Sequence, residues 1–95
     1  MSVKTSRFDA AEYLDTPEKI AAYIEAILDE DGDDPAFIRK ALNVAARAKG
    51  MSEVARAANM DRASLYKALS EEGNPSMETV LKVVKALGIK IRFAT

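Results

Sequence analysis

Cysteine and histidine are both absent from the 95-residue chain. Without cysteine there is no disulfide framework and no thiolate metal site. Without either residue, a zinc centre lacks its usual ligands and a histidine-based triad lacks its base. A phosphate-cradling glycine loop is missing too, and no carboxylate pair sits in a recognisable pocket motif. These gaps remove the common routes to catalysis, so the expectation is a protein that is not an enzyme and needs no cofactor or metal. No apolar run approaches the roughly 18 residues needed to span a membrane. The N-terminal MSVKTSRFDAAEY has no signal-peptide apolar core. The expected location is the cytoplasm.

What is present reads as globular, with 48% hydrophobic and 31% charged residues. A chain this short should form one small domain whose core is marginal but workable. The net charge of −1 conceals a gradient. Residues 1–49 carry seven bases against ten acids, for −3, and residues 50–95 carry seven against five, for +2. That imbalance permits nucleic-acid binding by the second half without demanding it.

Helix signals dominate, and the expected fold class is all-α. Thr16-Pro17 is an N-cap followed by proline at the first helical position. Ile20, Ile24, Ile27 and Leu28 then share a face, and DEDGDD ends the helix at Gly32. Asp34-Pro35 starts a second helix with the stripe Ile38, Ala41, Leu42 and Ala45, which Gly50 ends. Asp9 is placed to cap a turn over DAAEYL. Ser52 is expected to cap a third helix over about 53–58, and Asp61 a fourth over about 62–70. SEEGNPS is a loop by composition. Ser76 caps a last helix with the stripe Met77, Val80, Leu81, Val84 and Leu87, and Gly88 ends it. The tail IKIRFAT alternates in the manner of a strand over about 89–93. Such a strand needs a partner, and SVKTSRF could supply one within or between chains. The expected organisation is a single domain over 1–95: an extension with an acidic helix (1–34), a core (35–88) and a terminal strand (89–95).

The two short helices around Asn59-Met60-Asp61 have the form of a helix-turn-helix, spanning about 52–70. Ala55 is small enough for a close crossing, and Asn59 tolerates positive φ in the turn. Val54, Ala58, Met60, Leu65 and Ala68 supply buried contacts. On a helical wheel Leu65, Ala68 and Leu69 face the core, while Ala63 and Lys67 point away. In this motif the second helix enters the major groove of DNA N-terminus first. Arg62 could then reach a guanine edge or a phosphate, and Ala63 a thymine methyl. Ser64 could bond either, and Tyr66 and Lys67 could reach backbone or base edges. Ser52, at the start of the preceding helix, could meet a phosphate. Each has a plainer alternative: Arg62 and Lys67 as surface charges, Tyr66 packed on the next helix, Ser52 as a cap alone. The acidic run 29–34 reads as a solvated face.

MSEVARAANMDRASLYKALSEEGNPSMETVLKVVKALG resembles the helix-turn-helix of the phage-repressor-like (Xre) family, including the proline before an aliphatic last helix ending in Leu-Gly. RFDAAEYLDTPEKIAAYIEAIL, DDPAFIRKALNVAARAKGMSEVARAA and the C-terminal SLYKALSEEGNPSMETVLKVVKALGIKIRF together resemble the antidote proteins of chromosomal toxin–antitoxin (addiction) modules, over about residues 7–93. That resemblance implies a homodimer that binds a double-stranded DNA operator and represses its own operon, and that neutralises a small cognate toxin. It puts the DNA-reading positions on Arg62, Ala63, Ser64, Tyr66 and Lys67, with Ser52 at a phosphate. One departure stands out: Glu53 occupies the place where such repressors often have a DNA-contacting glutamine. Alternatives are a stand-alone repressor without a toxin, or a protein-interaction module that does not bind DNA.

Overall fold

A computed structural model describes residues 9–92. A short 3₁₀ helix (Ala10–Tyr13) leads into five α-helices: α1 (Pro17–Asp31), α2 (Pro35–Lys49), α3 (Met51–Ala57), α4 (Arg62–Ala68) and α5 (Met77–Ala86). Four starts follow from local chemistry. The side chains of Thr16, Asp34, Asp61 and Ser76 each accept a hydrogen bond from a backbone N–H in the first turn they precede. Asp9 does the same for the 3₁₀ helix.

The core forms around α2, which buries Ala41, Leu42, Val44, Ala45 and Ala46. Against these pack Ile20 of α1, Val54 and Ala55 of α3, and Val83 and Leu87 from the α5 region. The stripe expected on α5 is turned partway round. Val83, Val84, Ala86 and Leu87 are buried and Val80 is half-buried, but Met77 is 70% and Leu81 49% exposed. α5 leans on α3 and α2, and these two neighbours select which of its apolar residues go inside.

Two further expectations are corrected. Ser52 does not cap α3. That helix starts at Met51, its N-cap is Gly50, and no side chain caps it. Gly50 has φ +116°, which frees the chain to pass from α2 straight into α3, and its carbonyl accepts the first bond from the Val54 N–H at 2.9 Å. Burial of Met51 draws the helix start forward, leaving Ser52 exposed as its second residue.

The expected C-terminal strand is not formed either: no strand exists among the described residues, which include 89–92. Gly88 (φ +82°) closes α5 with the Gly88 N–H donating to Lys85 O and the Ile89 N–H to Val84 O, the paired bonds of a Schellman motif. Ile89 then packs on the core beside that helix end. Gly88, Ile89, Lys90 and Arg92 border a shallow depression with Pro17, Glu18 and Ala21 of α1. The tail therefore lies beside a helix, where no ladder of backbone bonds is on offer, and alternation alone does not make a strand. Phe93 and the SVKTSRF segment, proposed as the strand's end and partner, lie outside the described residues.

Candidate nucleic-acid interface

The candidate interface is built by α3, a four-residue turn and α4. Ala55 is buried where the two helices meet. Asn59 has φ +59°, the left-handed conformation the sequence anticipated. Its N–H donates to Arg56 O at 3.1 Å and the Met60 N–H to Ala55 O at 2.8 Å, again a Schellman closure. This fixes the angle at which the chain leaves α3. Asp61 then caps α4, accepting from the Ser64 N–H at 2.7 Å. The Ser64 backbone N–H, then its hydroxyl, hold the Asp61 carboxyl below the usual carboxylate range.

α4 is anchored on one side by Leu65 (0% exposed) and Leu69 (1%), with Ala68 half-buried. Arg62, Ala63, Ser64, Tyr66 and Lys67 are all exposed. All five expected positions therefore lie on the solvent side of α4, spread over an arc of about 200°. Tyr66 is 44% exposed and does not retreat into the next helix. The Arg62 guanidinium carbon lies 5.4 Å from the centroid of its ring. That cation–π contact narrows the range of Arg62 conformers while the residue stays exposed. Ser52 of α3 borders the same shallow depression as Arg62, together with Ala55, Arg56, Asn59, Met60 and Asp61. The depression has a volume of about 490 Å³. Ser64, Tyr66 and Lys67 lie beyond its rim.

Arg56 is the residue sequence reading passed over. It is exposed, four positions after Ser52 on α3, and no ion pair engages it among the described residues. The i,i+4 spacing from Ser52 was the available signal, since it puts both on one helix face. Glu53, the departure from the repressor pattern, sits 3.8 Å from Lys49, across the Gly50 junction between α2 and α3. Its charge is thus countered within the chain, and the unpaired cations of this face are Arg56, Arg62 and Lys67.

The site is thus a short capped helix with an open polar and basic face, held on a small-residue crossing. No metal-holding cluster occurs among the described residues, and none of their helices is long and apolar enough to cross a membrane. The chain belongs to the family described as "probable addiction module antidote protein", which matches residues 4–95. It is 45% identical over 92 residues to an uncharacterized protein of Haemophilus influenzae (strain ATCC 51907 / DSM 11121 / KW20 / Rd), covering 97% of this chain and 93% of that one. No solved structure matches significantly. Membership of an antidote family points to an antitoxin role with a toxin as partner.

Proposed function

We propose that the protein is a DNA-binding antitoxin: a homodimer that represses its own toxin–antitoxin operon and neutralises the cognate toxin. In this reading α3 and α4 are a repressor-like helix-turn-helix of the Xre type, and α4 enters the major groove. The observation that carries it is the open face of α4. Leu65 and Leu69 are fully sequestered, while Arg62, Ala63, Ser64, Tyr66 and Lys67 all face outward. Arg62, steadied over Tyr66, presents a planar donor fork to a base edge or phosphate. Ala63 permits close approach, Ser64 offers a hydroxyl, and Lys67 and Arg56 meet phosphates on either side. Ser52 adds a hydroxyl near Arg56.

The test is a gel shift with DNA from upstream of the protein's own operon. The Arg62→Ala, Lys67→Ala double variant should lose binding while its circular dichroism spectrum stays unchanged. Undiminished shifts by that variant would remove α4 as the reading element.

The acidic corner between α1 and α2 favours a second role for the same chain. Asp29, Glu30, Asp33 and Asp34 are exposed there, with no ion pair among them in the described residues. A basic toxin would meet this corner favourably. If the product of the adjacent small gene co-purifies with the protein, and neither the complex nor the free chain has any affinity for DNA, the protein-interaction module is the better description.

A further inference from the structure

α4 rests chiefly on one neighbour, α3, and its C-terminal end is held by something else. The Leu69 carbonyl, just past the last helical residue, accepts two side-chain bonds from α2. Asn43 Nδ2 donates at 3.1 Å and an Arg39 guanidinium N–H at 3.3 Å. Asn43 is in turn held from behind, with Arg47 Nε donating to its Oδ1 at 3.0 Å. The two contacts agree on the orientation of the amide: its oxygen faces a donor and its nitrogen faces an acceptor. Arg47 completes the series by gripping both carboxylate oxygens of Asp9, at 3.0 and 3.4 Å. Arg39, Asn43 and Arg47 are spaced four apart, so the ladder runs along one face of α2. Asp9 is the cap of the 3₁₀ helix that packs on α2. A continuous polar path thus joins the N-terminal segment formed by Asp9 and its 3₁₀ helix to the far end of α4.

We propose that Arg39, Asn43 and Arg47 are positioning residues for the reading helix, and that Asp9 couples the seating of the N-terminal segment to the placement of α4. The proposal rests on α4 being the DNA-reading element. Its physical basis is that α4 is only seven residues long and has one helix beneath it. A short helix pivoting on α3 needs a second fixed point to hold its register in a groove, because small misplacements spoil paired contacts. The Leu69 carbonyl is that point. Leu69 itself is buried, so an unmet carbonyl there would be costly and the bonds persist. A partner that draws the N-terminal segment away from Arg47 would loosen this end of α4 without touching the DNA face.

Amide hydrogen exchange and operator binding on the full chain test the idea together. Asn43→Asp is nearly isosteric and keeps an acceptor for Arg47, but it sets an oxygen against the Leu69 carbonyl. Exchange at Ala68, Leu69 and Ser70 should quicken by about tenfold relative to the slowest amides of α2 and α5, as expected for one lost bond plus a repulsion. Asp9→Asn keeps the cap on Ala11 and removes the charge facing Arg47. It should quicken the same amides by roughly threefold, and should add nothing in the Asn43→Asp background. An unchanged end of α4 in Asn43→Asp, a rise spread equally over all helices, or fully additive effects would each overturn the ladder. Where the wild type binds operator DNA, Asn43→Asp should bind more weakly with the same salt slope, since no phosphate contact is removed. Equal affinity would overturn the positioning role. Local loosening with no DNA binding even by the wild type would instead defeat the DNA-reading proposal and leave the ladder standing.

Discussion

Arg56→Ala offers a quantitative test of where the proposed DNA interface ends. Among the described residues the face carries three cations without an ion pair, Arg56, Arg62 and Lys67. If each meets one phosphate in each half of a dimer, six phosphates are neutralised, and log K should fall with log salt with a slope of about −5.4. Going from about 50 mM to about 200 mM salt would then weaken binding by roughly two-thousandfold. Removing Arg56 from both protomers takes away two contacts, which brings the slope to about −3.6 and the loss over the same range to roughly 150-fold. Fluorescence anisotropy with labelled operator DNA across a salt series reads both values directly. A wild-type slope preserved in Arg56→Ala, with binding intact, would exclude Arg56 from the interface. A wild-type slope near zero would sink the electrostatic argument altogether.

Three other outcomes follow from the packing and the caps. Leu65→Ala removes a fully buried side chain from α4 and should cost about 3–4 kcal/mol in chemical denaturation, including the cavity it leaves; a cost below about 1 kcal/mol would mean that α4 is not anchored there. Gly50→Ala forces a Cβ onto a residue at φ +116° and should lower stability by about 1–2 kcal/mol, although nothing closer than the Glu53 side chain meets it. The folded-state carboxyl of Asp61 lies below its ordinary value because of the Ser64 N–H, so its contribution is present at neutral pH and is lost as pH falls through that lowered value. Asp61→Asn keeps an acceptor that does not titrate, so its urea midpoint should decline less steeply on acidification than that of the wild type; parallel declines would refute the assignment.

The parts legible in the sequence were those whose partners lie within one turn. Thr16, Asp34, Asp61 and Ser76 cap as expected because an N-cap meets an amide two or three residues on. Asn59 adopts positive φ because the turn demands it at that position. The exposed face of α4 was readable from the wheel because Leu65 and Leu69 leave one side for the core. Ser52 misled because its cap chemistry was right but Gly50, two residues earlier, let the helix begin first. Arg56 was overlooked although its i,i+4 spacing from Ser52 was readable, because that spacing alone does not separate a contact residue from a solvated charge.

The sequence by itself determined the helical bundle, though not the absence of a strand over 89–92, together with most of the helix starts and which side of α4 is apolar, since these depend on backbone periodicity and on bonds between near neighbours. Its order of segments also carried the resemblance to antidote proteins, and the family match over residues 4–95 bears that out. Tertiary structure decided the rest. It rotated α5 so that Met77 and Leu81 stay outside, and laid the tail beside α1 instead of in a sheet. It also brought Asn43 to a carbonyl 26 residues away and Arg47 to a carboxylate 38 residues away. Contacts over such separations depend on how the helices stack, and no local pattern of residues encodes that stacking.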